Sequence, residues 1–258
     1  MSNLVKFDKR DDHIAIITLD RPEKRNAVNM EIAQGLDAAV KRVEADPDIW
    51  VAILTSSNDR VFCAVADLAE VAAGNGRNLY TKDGGFAGFV YHPRTKPWIA
   101  APMGVTVAGG LELCLGCDMI VAADNCSFGV PEAKRSLIAG AGGVTRMPKR
   151  IPTAVAIEMI ATCDPISAER AYQVGLVNRV VSLANVLDEA IALAKAIAAN
   201  APLAVREGIS VAKASGMLSD ADGQKLADEA LARLQATDDY REGPLAFVEK
   251  RPPVWKGK

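Results

Sequence analysis

The sequence predicts an α/β fold with a mostly parallel sheet and a helical C-terminal region. Up to about Pro148, short aliphatic runs alternate with stretches of helical apolar periodicity. The order strand, helix, strand recurs there, and such units close through right-handed crossovers. Beyond Pro148 almost every segment reads as helix.

Ile14-Ala15-Ile16-Ile17-Thr18 reads as a buried strand, ended by Asp20-Arg21-Pro22. Asn29 is a candidate N-cap, and Ile32, Leu36, Val40 and Val43 recur at helical spacing until Asp46-Pro47-Asp48 stops the helix. Val51-Ala52-Ile53-Leu54 is the next strand, and Val61-Phe62-Cys63 is a core strand end running into a loop. Residues 67–96 are less regular, carry Gly84-Gly85, and read as a loop with a short helix. Trp98-Ile99-Ala100-Ala101 is strand-like and leads through a glycine-rich turn into a helix from about Gly109. Met119-Ile120-Val121-Ala122 is a further strand. Helices are predicted over 152–161, 168–174, 186–199, 202–215 and 219–236, with one short strand within 176–181. The chain has no low-complexity linker and no internal repeat. The simplest organisation is an α/β core over 1–200 and a helical region over 201–258 with apolar faces suited to an oligomer interface.

Of the 258 residues, 50% are hydrophobic and 24% charged, an ordinary globular composition able to bury a core without staples. Lys and Arg number 30 against 32 Asp and Glu, a net charge of -2 that gives no footprint for nucleic acid or a membrane surface. Five cysteines, an odd and sparse set, argue against a secreted disulfide framework. Residues 1–12 are polar and charged, unlike a signal peptide, and no segment reaches the roughly 18–20 apolar residues of a membrane span. A soluble, cytoplasmic protein is expected, with no nucleic-acid or membrane partner.

Two constellations carry chemistry. Ala108-Gly109-Gly110-Leu111-Glu112 lies between a strand and a helix. From this motif alone two readings are open. The glycines pack a helix on a sheet and Glu112 starts the helix, or the free N–H groups of the first turn hold a developing oxyanion beside Glu112. The second is Phe128-Gly129-Val130-Pro131-Glu132, followed by Ile138-Ala139-Gly140-Ala141-Gly142-Gly143. Pro131 suits the first position of a helix, from whose start Glu132 projects. Alone Glu132 reads as a surface carboxylate; brought to one cleft with Glu112, the pair divides acid and base roles if their environments separate their pKa values. Cys114-Leu115-Gly116-Cys117 has no second pair and reads as helix interior, a structural use of cysteine.

Taken in order, Asp20-Arg21-Pro22-Glu23-Lys24-Arg25-Asn26-Ala27, Val61-Phe62-Cys63-Ala64-Val65-Ala66-Asp67-Leu68, Gly109-Gly110-Leu111-Glu112, Phe128-Gly129-Val130-Pro131-Glu132 and Gly140-Ala141-Gly142-Gly143 resemble the crotonase (enoyl-CoA hydratase/isomerase) superfamily across nearly the whole chain. Asp83-Gly84-Gly85-Phe86-Ala87-Gly88 and the C-terminal stretch from Gly243 to Gly257 are similar to carnitinyl-CoA dehydratase-like members. The resemblance implies a spiral α/β fold, a ββα superhelix, assembled as a homotrimer or homohexamer through the helical C-terminal region. It implies a hydro-lyase of enoyl-CoA hydratase or dehydratase type, with a double-bond isomerase or a non-catalytic acyl-CoA-binding protein as alternatives. The N–H groups of Ala66 and Gly109 would form the oxyanion hole, Glu112 and Glu132 would manage the water and the α-proton, and Gly140 would help order the site. Lys24, Arg25, Ala27, Ala64, Ala66, Asp67 and Leu68 would hold coenzyme A, with Phe247 and Lys250 reaching it from the C-terminal region, Lys250 facing a phosphate. No metal, and no cofactor beyond the coenzyme A of the substrate, is implied.

Three departures from the family pattern are visible. Val65 stands where glycine is usual, beside Ala66. Either that position needs φ > 0 and the valine distorts the oxyanion hole, or it is extended and only packing changes. Ala108 replaces another frequent glycine, read as the milder change, and Ala139 replaces a proline before Gly140.

Overall fold

The computed structural model describes residues 3–258, apart from the side chain of Leu68. β1 (Val5–Lys9) pairs antiparallel with β2 (Ile14–Leu19), after which α1 (Met30–Ala45) leads to β3 (Val51–Ser56) and β4 (Val61–Cys63). The Asn29 side chain accepts a hydrogen bond from Ile32 N–H, as the cap reading expected, and the buried stripe of α1 includes Ile32, Leu36, Val40 and Val43. The irregular region holds α2 (Leu68–Ala72) and a small antiparallel pair, β5 (Tyr80–Thr81) with β6 (Gly85–Phe86). Next come β7 (Trp98–Ala100), β8 (Val105–Val107), α3 (Gly109–Gly116), β9 (Met119–Ala123) and β10 (Ser127–Gly129). α4 (Gly143–Arg150), α5 (Thr153–Thr162), β11 (Ile166–Ser167), α6 (Ala168–Gln173), β12 (Arg179–Val181) and α7 (Val186–Ala198) complete the α/β part.

The strands form a six-stranded sheet ordered β1-β2-β3-β7-β9-β12 and a four-stranded sheet ordered β11-β10-β8-β4. The chain lays one strand in each sheet per turn: β3 then β4, β7 then β8, β9 then β10. This repeated ββ step is the spiral expected from the sequence resemblance. All pairings are parallel except those of β1 with β2 and β10 with β11 within these two sheets. Every residue of β3 is buried, as in a parallel strand covered on both faces. α1 packs on β1 and β2, and α7 packs across β2, β3, β7 and β9.

Two local features set the junction between β4 and α3. The register between β4 and β8 shifts between Val61 and Cys63, a bulge that re-aims the chain just before Ala64. Gly110 packs directly on the end of β4: a Cβ there would lie 2.1 Å from the Cys63 carbonyl oxygen. Only glycine lets the start of α3 come so close to that segment.

The C-terminal region comprises α8 (Pro202–Ser215), α9 (Asp220–Gln235) and α10 (Asp238–Glu249). α8 pairs with α9, and α10 packs on α9. Sequence reasoning places its last helix over 219–236 and none across Gly243-Pro244. The structure carries α10 through that proline, with the Thr237 side chain capping it and Trp255 packed over Gly243. The tail is tied back by Asp239, whose carboxylate is 4% exposed and accepts from the Lys256 and Gly257 N–H groups at 2.7 and 2.9 Å. The Trp255 indole N–H donates to the Ala199 carbonyl at 2.9 Å. Met217, Phe247 and Val248 are left pointing outward. Among the described residues, no helix is long and apolar enough to cross a membrane.

Removing both acceptors of the tail with Asp239→Ala is expected to cost about 2 kcal/mol and to lower Tm by about 4–8 °C. Calorimetry at fixed protein concentration reads it, and a midpoint within a degree of the parent rejects the anchoring role.

Candidate active site

The site is built where β4, β8 and β10 end and α3 begins. Val28 N–H donates to the Val65 carbonyl at 2.9 Å and Asp67 N–H donates to the Val28 carbonyl at 2.8 Å, a parallel bridge spanning Ala66. In such a bridge the middle residue's own N–H points away from the partner strand. The Ala66 N–H therefore faces away from Val28 and donates to no protein acceptor among the described residues. The Gly109 N–H belongs to the first turn of α3 and likewise has no partner. Two unused N–H groups thus flank the junction held closed by Gly110 and Cys63.

Val65 is absent from the positive-φ residues, so it is ordinary backbone and the distortion reading falls. The strain lies instead at Ala108, the substitution that reads as milder, with φ 51° and ψ −126° at the N-cap of α3. That region favours glycine, and Ala108 is held there with its N–H donating to the Gly129 carbonyl at 2.9 Å.

Glu112 projects from the first turn of α3 and is 4% exposed. Its Oε1 accepts from Gly143 N–H at 3.0 Å, and the Ala141 N–H faces the same carboxylate. Burial dominates these stabilising contacts, and together with the nearby charge of Glu132 it raises the pKa from 4.5 to about 7. Glu132 lies in the short 3₁₀ turn Pro131–Arg135, with Pro131 in its first turn. It is partly buried, burial raises its pKa, and its Oε2 is enclosed without a protein partner. The structure therefore brings the two carboxylates into electrostatic contact, with different surroundings: one held by backbone N–H groups, the other with a free acceptor. Gly140 follows Glu132 by eight positions, in the loop that supplies the N–H groups to Glu112.

The coenzyme A candidates fall into two groups. Lys24 and Arg25 are exposed around the turn Pro22–Lys24. Ala64 N–H donates to the Arg25 carbonyl at 3.1 Å, so the loops of Lys24, Arg25 and Ala27 and of Ala64, Ala66 and Asp67 are laced together. Two further residues of the first motif hold this platform. The Arg21 guanidinium pairs with Asp67 at 2.8 Å and donates to the Ala27 carbonyl at 3.0 Å. The fully buried Asn26 donates to the Phe62 carbonyl at 2.9 Å and to Ser56 Oγ at 2.8 Å. Both stand in the first motif, and burial is what separates them from its exposed members. The Leu68 side chain is outside the described residues. Phe247 and Lys250 form the second group: Phe247 is 84% exposed on α10, and Lys250 ends that helix in the left-handed region. No hydrogen bond, ion pair or ring contact among the described residues ties either to the platform.

The thiols of Cys114 and Cys117 are buried, and burial pushes Cys117 up to about 12, which suits structural cysteine. Aromatic residues reach the Glu112 site from the irregular region. Burial, then the charge of Glu112, raises the Tyr80 phenol, and the Phe86 ring packs against Gly109.

This architecture is that of a known enzyme family. The Enoyl-CoA hydratase/isomerase profile matches residues 9–258, and the chain belongs to that family. It is 40% identical, over the full length of both chains, to a carnitinyl-CoA dehydratase from Proteus mirabilis (strain HI4320). Its fold superimposes on an enoyl-CoA hydratase from Mycobacterium tuberculosis H37Rv with a TM-score of 0.94, at 42% identity and 99% coverage of both chains. A carnitinyl-CoA hydratase from Mycobacterium avium matches with a TM-score of 0.79 at 40% identity, covering 100% of each. The ββα spiral with its helical C-terminal region is thus the crotonase fold.

The local strain and charge have two measurable consequences. Ala108→Gly is expected to stabilise the protein by about 1 kcal/mol through relief of its backbone conformation; an unchanged or lowered urea midpoint shows the alanine is unstrained. The folded-state pKa of Glu112, about 7, lies above its ordinary 4.5, so its charged form lowers stability fully above pH 7 and ceases to do so as pH falls toward 4.5. Glu112→Gln is therefore expected to raise stability at about pH 8 by on the order of 3 kcal/mol, and much less at about pH 5. Equal gains at the two pH values contradict the raised pKa.

Proposed function

We propose that the chain is a hydro-lyase that adds water to, or removes it from, the α,β-bond of a coenzyme A thioester, with Glu112 and Glu132 as its acid–base pair. The observation that carries this reading is the pairing of two carboxylates of raised pKa, Glu112 buried and Glu132 partly buried, with the unpartnered N–H groups of Ala66 and Gly109 at the junction of β4 and α3. The thioester oxygen would be received by Ala66 and Gly109. Charge accumulates on that oxygen only as the enolate forms, so the donors lower the barrier more than they tighten substrate binding. The free Oε2 of Glu132 is an acceptor for a water O–H, and Glu112, poised near neutrality, exchanges a proton in the same cleft. A lone proton-shuttling carboxylate suffices for double-bond isomerisation; two carboxylates fit addition and removal of water. The platform formed by Lys24, Arg25, Ala27, Ala64, Ala66 and Asp67 is assigned to coenzyme A, with no further cofactor.

The acyl group is proposed to lie against the aromatic residues of the irregular region, where Tyr80 is 55% exposed and near the charge of Glu112. A cationic acyl chain of the kind named for the carnitinyl-CoA relatives is compatible with such a ring. Phe247 and Lys250, turned outward on α10, fit contact with coenzyme A across an interface between copies. The outward apolar residues of α8 to α10 support assembly as a homotrimer or homohexamer. The free, buried cysteines fit a reducing cytoplasm.

Hydration of crotonyl-CoA and crotonobetainyl-CoA tests the reading. Glu112→Gln and Glu132→Gln are each expected to lower kcat by about 10²-fold or more. In ¹⁸O-labelled water the label is expected on the β-carbon of the product. Full activity in either variant, or double-bond migration without label, overturns the hydro-lyase assignment.

A further inference from the structure

The glycines of the Asp83-Gly84-Gly85-Phe86-Ala87-Gly88 motif have no part in the chemistry above, yet one of them, Gly85, is fitted closely against a single side chain. Gly85 has φ +63°, and a Cβ on it would lie 2.7 Å from Tyr91 Cδ2. Tyr91 N–H donates to the Gly84 carbonyl at 2.9 Å. The turn thus fixes Tyr91 from behind and along its flank. Its ring face is taken by Arg146, whose Cζ lies 4.9 Å from the ring centroid. Arg146 in turn begins its helical hydrogen bonding with Gly142 at 2.7 Å. The half-exposed tyrosine is therefore held on three sides, and its hydroxyl donates to the Gly140 carbonyl at 3.1 Å.

The Gly140 carbonyl and the Ala141 N–H belong to one peptide group. In a planar trans peptide they point in opposite directions. With the oxygen end held by Tyr91, the N–H end is directed to the other side of the loop, where it faces the Glu112 carboxylate. Donation into the carbonyl also polarises the peptide and strengthens the N–H at its far end. Gly140 itself adds little rigidity, since its own N–H reaches only the Ile138 carbonyl two residues back, at 2.8 Å. Ala139, standing where proline is usual, leaves the loop in need of an external anchor.

We infer that Tyr91 is a positioning residue for Glu112, acting through the Gly140–Ala141 peptide, with Arg146 holding the tyrosine ring. The groups facing Glu112 are the N–H groups of Gly143 and Ala141, the Glu132 carboxylate, the Arg146 guanidinium and the Tyr80 phenol. Among them the Ala141 N–H is the one whose direction Tyr91 sets. An N–H aimed at a carboxylate favours its charged form, so losing the anchor raises the pKa of Glu112 further.

The inference rests on the acid–base reading of Glu112, and its test separates the two. Tyr91→Phe keeps the ring and its contact with Arg146 and removes only the hydroxyl. It is expected to lower kcat about three- to ten-fold, to leave KM for the thioester within about twofold, and to move the Glu112 limb of the pH profile upward. Titration of ¹³C-labelled glutamate carboxyls by NMR, assigned with Glu112→Gln, reads the same shift without turnover. Tyr91→Leu, which also frees Arg146, is expected to lose more of kcat. If Glu112→Gln keeps full activity, the catalytic reading fails; the carboxyl titration still decides whether Tyr91 positions Glu112. If the Glu112 titration in Tyr91→Phe matches the parent, the inference is overturned, whether or not kcat falls.

Discussion

The contact between Gly110 and the Cys63 carbonyl is the constraint on which the site depends. It brings the first turn of α3 against the end of β4, the neighbour of the strand that leads into the helix, with no side chain between. Everything chemically useful comes from that approach. The Gly109 N–H is left without an intrahelical acceptor, the positive end of the α3 dipole faces the junction, and Glu112 is carried into an apolar interior one turn along. A side chain at residue 110 would push the helix outward and return the glutamate to solvent, with an ordinary acidity and no special chemistry.

A short helix used this way has a second end to satisfy. At the C-terminus of α3 the Arg94 guanidinium donates to the Gly116 carbonyl at 2.5 Å, and Arg150 donates to the Cys117 and Asp118 carbonyls at 2.7 and 3.1 Å. Arg94 also stacks on Phe89, 4.1 Å from its centroid. Cations at that end complement the dipole, and their enclosure makes the effect larger than at a surface. The cost is visible: Arg94, Arg146 and Arg150 each keep one enclosed Nη1 without a protein partner. α3 is thus a strut fixed by close packing at its N-terminal end and by guanidinium groups at the other.

Much of this is legible in the sequence, and the boundary has physical causes. Buried parallel strands announce themselves as unbroken aliphatic runs, so β2, β3, β7 and β9 are predicted within a residue or two. β1 is not, because Val-Lys-Phe-Asp-Lys at the sheet edge shows alternating burial and reads as a polar terminus. The very short β10 and β11 carry too few residues to show a period. Both glutamates are picked out by the order and spacing of the motifs that resemble the family, since each alone reads as an ordinary helix-start or surface carboxylate. The contacts made by Tyr91, Arg146, Arg21 and Asn26 are not legible in the sequence, since what they do is a matter of which backbone group they meet across the fold. Val65 and Ala108 show the same limit. Sequence marks both as glycine replacements, and only backbone geometry shows which one bears strain.

That strain and the burial of Glu112 belong together. A carboxylate raised to about 7 is a standing cost to the folded state at neutral pH, and so is an alanine held at φ 51° at the start of its helix. Both sit at the junction of the two unpartnered N–H groups, and none of the three is explained by packing. Helix geometry alone would favour a capping side chain at residue 108, a solvated acid at 112 and an acceptor for the Gly109 N–H. A chain selected only for stability would supply them. These departures are concentrated at one junction, while the far end of the same helix is over-provided with donors, and that asymmetry is what the proposed function accounts for and a merely strained loop does not: a thioester oxygen bound there would satisfy the two N–H groups.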